Sequence, residues 1–113
     1  MPKQNLPQER TPVVVAQALT RLGEHISTAR IRRRLTEREL AQKTGLSLNT
    51  LRRVERGSGT TAISAYFTAL WALGLEKEFE GLAAPERDLE GLTLELARAP
   101  KRVRGRKGLD ADF

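Results

Sequence analysis

Two helix start signals and two helix stop signals alternate within residues 35–57, and their spacing constrains the fold more than any other feature of the chain. The first start signal is Thr36, a good N-cap residue, followed three positions later by Glu39, as in a capping box. Gly45 is the first stop signal, because glycine readily takes the left-handed conformation found at helix C-termini. The pattern therefore predicts a short helix that begins after Thr36 and ends at Gly45.

A second short helix is predicted over residues 48–56, capped by Ser47 and ended by Gly57. Leu51 and Val54 lie three positions apart and are predicted to form its buried face. The rest of this helix is directed outward, and comprises Asn49, Thr50, Arg52, Arg53 and Arg56. Two helices joined by a tight turn with glycine form a helix-turn-helix, whose second helix reads DNA bases. An ordinary corner of two helices with solvated charges is the alternative that composition leaves open.

The order of the residues distinguishes these two interpretations. The run T-x-x-E-L-A-x-x-x-G-L-S-x-x-T-L-x-x-x-E-x-G at residues 36–57 resembles the phage-repressor and Cro-type (XRE) helix-turn-helix family, and the likeness extends over residues 22–75. The resemblance implies an all-α fold: a five-helix lambda-repressor-like DNA-binding domain with an N-terminal helical extension and a basic, disordered C-terminal tail. It further implies a sequence-specific transcriptional autorepressor that binds a palindromic operator in double-stranded DNA as a homodimer.

Several side chains of the helix-turn-helix are candidates for DNA contact. Asn49 can bond adenine in a bidentate manner, Arg53 or Arg52 can do so to guanine, and Leu48 suits a thymine methyl group. The complete predicted DNA-binding set is Gln42, Ser47, Leu48, Asn49, Thr50, Arg52, Arg53 and Arg56. Glu37 departs from the family pattern, in which glutamine is common. Its carboxylate either accepts from a cytosine amino group or stabilises the helix N-terminus.

Other basic residues are candidates for phosphate contact or for a structural role. The predicted phosphate contacts are Arg32, Arg33, Arg34 and Lys43, although the arginine run also suits a solvated helix end. The family resemblance implies that Arg30 pairs with Glu55 near the end of the recognition helix. A charge that leaves water needs such a partner, so this pair is predicted to be structural.

The charge of the chain changes sign along its length. Residues 1–34 carry a net charge of +5, residues 35–59 of +2, residues 60–99 of −4 and residues 100–113 of +3. The basic segments suit a polyanion and the acidic segment does not. This distribution indicates two surfaces with two roles, or an acidic segment that is only solvated exterior.

The residue inventory argues against catalysis and membrane insertion. The chain has no cysteine and a single histidine, His25, which we predict to lie on the surface. Acid–base, nucleophilic and metal chemistry therefore lack their usual groups, and we expect no catalytic residue, metal or cofactor. The N-terminus does not resemble a signal peptide and no apolar run reaches the ~18–20 residues of a membrane span, so we expect a cytoplasmic protein.

Hydrophobic spacing predicts the helices that flank the motif. The first runs over residues 12–34 with Thr11 as its N-cap, and its stripe is Val15, Leu19, Leu22, Ile26 and Ala29. Gly23 allows a break in this helix, and the three valines at 13–15 also fit a strand.

Two more helices are predicted after the motif. One covers residues 62–73, is capped by Thr61 and has a core stripe formed by Ile63, Phe67 and Leu70, with Tyr66 and Leu73 alongside. Trp71 falls outside this stripe, so it lies in the core, in solvent or in a dimer contact. A fifth helix is predicted over residues 76–83 with Phe79 and Leu82 directed inward.

The predicted organisation is a flexible arm at residues 1–11, a DNA-binding domain at 12–83, and a C-terminal segment with a basic tail at 84–113. The leucine-rich part of that segment fits a short helix or an extended strand that docks on a partner. LGEHISTARIRRRLT at 22–36 and the tail PKRVRGRK at 100–107 together resemble HipB-like antitoxins, which implies a HipA-type kinase toxin as a second partner. A free-standing repressor without a toxin is the alternative.

Overall fold

A computed structural model of the protein describes residues 10–98, and in that range all the regular secondary structure is helical. This confirms the predicted all-α class. The helices are α1 (Val13–Arg32), α2 (Glu37–Thr44), α3 (Leu48–Arg56), α4 (Ile63–Ala72), α5 (Lys77–Glu80) and α6 (Leu89–Arg98), with a 3-10 turn at Pro85–Arg87. None of these helices is long and apolar enough to cross a membrane. The described part of the chain divides into two compact units, residues 10–79 and residues 80–98.

Two predicted features lie outside the described residues. These are most of the N-terminal arm and the basic tail at 100–107.

The predicted boundaries of α2 and α3 are confirmed by their hydrogen bonds and backbone angles. The Glu39 N–H donates to Thr36 Oγ1 at 3.0 Å, and the Thr36 N–H donates to Glu39 Oε1 at 2.8 Å, so both halves of the capping box are present. Gly45 ends α2 with a φ of 78°. Ser47 Oγ then accepts from the Thr50 N–H at 3.0 Å and caps α3. Each cap satisfies a backbone donor that the first helical turn leaves unpaired.

Helix α1 is continuous through Gly23, so the break that this glycine allowed does not occur. A Cβ at position 23 would lie 2.6 Å from the Glu55 carbonyl oxygen and 2.7 Å from that of Val54. Gly57, at the end of α3, has a φ of 76°, and a Cβ there would lie 2.6 Å from the Cα of Thr20. Both glycines therefore let the backbones of α1 and α3 approach more closely than any side chain would permit.

The start of α1 differs from the prediction. The helix begins at Val13 with Pro12 in the N-cap position and no side-chain cap, so the predicted cap by Thr11 is wrong. The three valines are helical and not a strand, and they are exposed; Val15 is 45% exposed and does not belong to the core stripe. Leu19, Leu22 and Ile26 do pack inward, because only the C-terminal part of α1 lies against α3.

The core of the first unit is small and is formed by one face of each of four helices. Ile26, Leu40, Leu51 and Val54 are completely inaccessible to solvent. Helix α4 adds Ala65, Tyr66, Ala69, Leu70 and, just beyond its end, Leu73. Burial of Leu51 and Val54, predicted from their spacing, is confirmed.

The predicted core stripe of α4 is wrong at its first position, since Ile63 is 64% exposed. The helix instead turns its small residues Ala65 and Ala69 inward, which allows it to pack closely on α2 and α3. Its predicted cap is also wrong: Ala62 occupies the N-cap position, and Thr61 Oγ1 is buried without a hydrogen-bond partner among the described residues. Trp71 is 59% exposed, which excludes a core position within this chain.

The predicted fifth helix is shorter than expected, since α5 comprises only Lys77–Glu80. Phe79 packs on Phe67 with ring centroids 4.3 Å apart, in agreement with its predicted inward direction. Leu82 is 61% exposed, so its predicted inward position is wrong. The helix ends at Glu80, and the backbone has a left-handed φ of 56° at Ala83.

The second unit consists of the 3-10 turn and α6. The Gly91 N–H donates to Asp88 Oδ1 at 2.9 Å, which stabilises the start of α6. The alternative left open by the sequence is thereby resolved in favour of a helix. Its four leucines, Leu89, Leu92, Leu94 and Leu96, are all exposed.

The close approach of α1 and α3 predicts an unusual response to alanine at position 23. Alanine normally stabilises a helix by ~1 kcal/mol relative to glycine. In Gly23→Ala the new methyl group would collide with two backbone carbonyls, and we expect a net loss of about 1–3 kcal/mol in the free energy of unfolding. This free energy of unfolding is measured by urea denaturation, with circular dichroism as the signal.

Thr28→Ala is the matched control, since it introduces the same residue at an exposed position of the same helix. We expect this control to be neutral or slightly stabilising. A Gly23→Ala variant as stable as the wild type would contradict the proposed packing.

Candidate nucleic-acid interface

Helix α3 presents one continuous polar and basic face to solvent. Asn49, Arg52, Arg53 and Arg56 follow one another at steps of three, one and three residues, which places them on the same side of the helix. All four are exposed, while Leu51 and Val54 anchor the opposite side in the core. One face of α3 is therefore anchored in the core and the opposite face is open to solvent, as in a helix that enters a DNA groove.

The first turn of α3 is less available than its polar composition indicated. Ser47 Oγ accepts from the Thr50 N–H and also donates to Thr50 Oγ1 at 2.9 Å, so the two hydroxyls are engaged with each other. Leu48 is half-buried and packs against the core. Of Leu48, Asn49 and Thr50 in the first turn of the helix, only Asn49 is exposed.

An ion pair that the sequence analysis missed joins the two helices of the motif. Arg52 Nε lies 3.2 Å from Glu37 Oε1, and the two side chains are 48% and 33% exposed. Glu37 is the first residue of α2, fifteen positions before Arg52, so no local spacing rule connects them. The sequence offered one indication of the pair, the unusual carboxylate of Glu37. A carboxylate among groups that bind a polyanion is stabilised by a cationic neighbour.

Arg30 and Glu55 form a second, more enclosed ion pair. Arg30 Nε donates to Glu55 Oε2 at 2.7 Å and its Nη2 donates to Oε1 at 3.1 Å. The remaining Nη1 donates to the carbonyl oxygen of Leu35 at 2.8 Å. With side chains only 11% and 7% exposed, this pair connects α1, α3 and the turn before α2, and is structural in character.

The hydrogen bonding of Arg30 to the Glu55 carboxylate raises the pKa of Arg30 above its ordinary value, against an opposing effect of burial. The negative charges of Glu55 and Glu37 raise it further. Because the pKa of Arg30 is raised, its guanidinium stays charged throughout the pH range in which proteins are handled.

The predicted phosphate contacts lie at the ends of α1 and α2. Arg32, Arg33 and Arg34 are exposed, but Arg33 Nη1 donates to the Ala29 carbonyl oxygen at 2.8 Å and so also caps α1. Arg34 adopts a left-handed backbone with a φ of 59°, which turns the chain towards α2. Lys43 and Gln42 are exposed in the last turn of α2.

Within residues 10–98 no group of three or more His, Cys, Asp or Glu side chains is arranged to hold a metal ion. His25 is exposed, as predicted.

Comparison with known families supports the assignment that the geometry suggests. Residues 26–67, which span the last third of α1, all of α2 and α3, and the first half of α4, match a family model described as helix-turn-helix. The matched family is one of DNA-binding regulators, so the match supports a DNA-binding transcription regulator. Over residues 26–67 the chain is therefore similar to the XRE-family helix-turn-helix that its sequence motif resembles. Searches of curated proteins and of solved structures gave no significant match.

The enclosed pair predicts a strongly non-additive pair of substitutions. Arg30→Met leaves the Glu55 carboxylate without its partner, and we expect a loss of about 3–5 kcal/mol in the free energy of unfolding. Adding Glu55→Leu removes the stranded charge and should recover much of that loss. Urea denaturation of both variants measures the coupling.

Arg32→Met is the control, because Arg32 is an exposed arginine in the last turn of the same helix. We expect it to change stability by less than about 0.5 kcal/mol. If the double variant lost as much unfolding free energy as the two single variants together, Arg30 and Glu55 would contribute to stability independently and not as a pair.

Proposed function

We propose that this protein is a sequence-specific transcriptional autorepressor that binds a palindromic operator as a homodimer. The observation that carries the proposal is the exposed face of α3, with Asn49, Arg52, Arg53 and Arg56 held outward by a buried anchor. A single recognition helix covers half of a site, so two copies are expected on half-sites about one helical turn apart. The exposed Trp71 on α4 supports a dimer, because tryptophan is enriched at interfaces.

Base reading and phosphate binding are assigned to different residues. We assign Asn49 to adenine and Arg53 to guanine, because their side chains suit bidentate hydrogen bonds to those bases. Arg56, at the last turn of α3, and Lys43, at the last turn of α2, are assigned to phosphates together with the arginines that end α1. Phosphate contacts supply affinity and register, whereas base contacts supply sequence choice.

The finer role proposed for the protein is that of an antitoxin that also binds and inhibits a HipA-type kinase toxin. The second unit supports this role. Residues 80–98 carry five acidic and two basic side chains, and α6 exposes four leucines in that acidic setting. A helix with exposed leucines is suited to a protein groove, and its negative charge opposes binding to DNA. A free-standing XRE-type repressor, without a toxin, is the alternative.

The proposed regulator is tested by titrating the protein against its own upstream DNA and a scrambled duplex at several salt concentrations. Preference for the upstream DNA is the expected result. Arg53→Ala should then cost about 1–3 kcal/mol on that DNA and relax the base preference at one position.

Arg56→Ala is the matched control, since it removes the neighbouring arginine that we assign to phosphate. It should weaken binding to all duplexes equally and reduce the salt slope by about 1. An Arg53→Ala variant that behaves like Arg56→Ala would mean that Arg53 contacts only the backbone.

The antitoxin role is tested on α6. Leu89, Leu92 and Leu96 share one side of the helix and Leu94 lies on the other. If α6 binds a HipA-type kinase encoded beside this gene, Leu92→Glu with Leu96→Glu should abolish inhibition of that kinase in a phosphorylation assay while leaving operator affinity unchanged.

Leu94→Glu provides the control, because it places the same charge on the same helix but on its other side, and inhibition should persist. Absence of inhibition by the wild-type protein would favour the free-standing repressor.

A further inference from the structure

We propose that Glu37 is a positioning residue that orients Arg52 for contact with a guanine, and that it thereby sets the base preference at one position of each half-site. The inference rests on the proposed DNA-binding function and deepens it. It concerns the ion pair between the first residue of α2 and the exposed face of α3.

The geometry of the pair determines which part of Arg52 is left for DNA. Glu37 Oε1 accepts the N–H of Arg52 Nε at 3.2 Å. No acceptor for the two terminal guanidinium nitrogens of Arg52 is found among residues 10–98. The planar guanidinium carries five N–H donors in a rigid fork, so holding it by Nε leaves its end free. Two parallel hydrogen bonds to guanine O6 and N7 need such a free end.

The location of Glu37 makes it a fixed point against which Arg52 can be held. Glu37 follows the Thr36 cap directly, and the capping box joins Thr36 to Glu39 in the same turn. A carboxylate is favoured at a helix N-terminus by the partial positive charge there. Its negative charge also helps to raise the pKa of Arg30.

A role in stability does not account for this pair. Both side chains are substantially exposed, and exposed ion pairs contribute little to folding. The pair can instead affect DNA binding by orienting Arg52, because an unrestrained arginine loses considerable rotamer freedom when it binds a base. An arginine already held in place by a carboxylate loses less, so pre-organisation strengthens binding to the correct base.

The pair also explains how a carboxylate is accommodated on a DNA-facing surface. Glu37 alone would be repelled by the phosphates, whereas Glu37 paired with Arg52 presents no net charge. Glu37 and Arg52 then act as one reading unit. This differs from direct recognition of cytosine by Glu37, in which Arg52 would play no part.

The test compares Glu37→Gln, Arg52→Ala and the double variant on a set of operator duplexes that carry every single-base change in one half-site. We expect Arg52→Ala to reduce the preference for guanine at one position by about 5-fold or more. Glu37→Gln should weaken the preference at that same position and at no other. The double variant should lose no more than Arg52→Ala alone, because the two residues act together.

Glu24→Gln is the control, since it removes the same charge from an exposed position of α1. Thermal unfolding of Glu37→Gln should match that of the wild type, which separates positioning from folding. Losses by Glu37→Gln at a different position, or losses that add to those of Arg52→Ala, would overturn the inference in favour of direct recognition by Glu37. A uniform change on all duplexes would overturn it in favour of altered phosphate repulsion.

Failure of the proposed function itself has a different signature. In that case the wild-type protein would show no preference among any of the duplexes, and Arg53→Ala would show none either. A wild type that selects its operator, with Arg53→Ala impaired at one position and Glu37→Gln unchanged, would overturn only the role assigned to Glu37.

Discussion

The bidentate pair between Arg30 and Glu55 is the interaction on which the helix-turn-helix depends. One guanidinium reaches from α1 to the last turn of α3 and to the carbonyl oxygen of Leu35, immediately before α2. Such a contact requires the backbones to be close, and Gly23 and Gly57 provide the space. Because a charge withdrawn from water is costly unless paired, arrangements that separate Arg30 from Glu55 are disfavoured. The pair therefore selects one orientation of α3 relative to α1.

This selection matters because the core is too small to determine the orientation by itself. Among residues 10–98 only five side chains are fully inaccessible, those of Ile26, Leu40, Leu51, Val54 and Ala69, and such aliphatic residues pack in several ways with similar energy. Hydrogen bonds are directional, so caps and ion pairs add what the aliphatic contacts lack. Each acidic residue of the motif has a structural partner: Glu39 completes a capping box, Glu55 pairs with Arg30 and Glu37 pairs with Arg52. With its carboxylates engaged, the surface offers cationic and amide groups to a polyanion.

The features that were predictable from the sequence are those that depend on neighbouring residues. A cap such as Thr36 and a stop such as Gly45 act within one turn of helix, so the limits of α2 and α3 could be read directly. The rotation of α4 could not, because Ile63 is exposed and Ala65 buried only as a consequence of how closely α4 approaches α2 and α3. The Glu37–Arg52 pair was likewise hidden, since its members meet only after the turn is formed. Arg30 and Glu55 were paired from the family resemblance and not from spacing.

The two units differ in the kind of partner that their surfaces can bind. Residues 10–79 carry twelve basic and six acidic side chains, whereas residues 80–98 carry two basic and five acidic ones. Phosphate repels the second unit, so its exposed leucines are not available to improve DNA binding. Nor is a ten-residue helix such as α6 stable in water without tertiary contacts, since helices of this length gain most of their stability by packing an apolar face. The exposed leucines of α6 therefore suit the protein partner proposed above, whereas the basic face of α3 suits DNA.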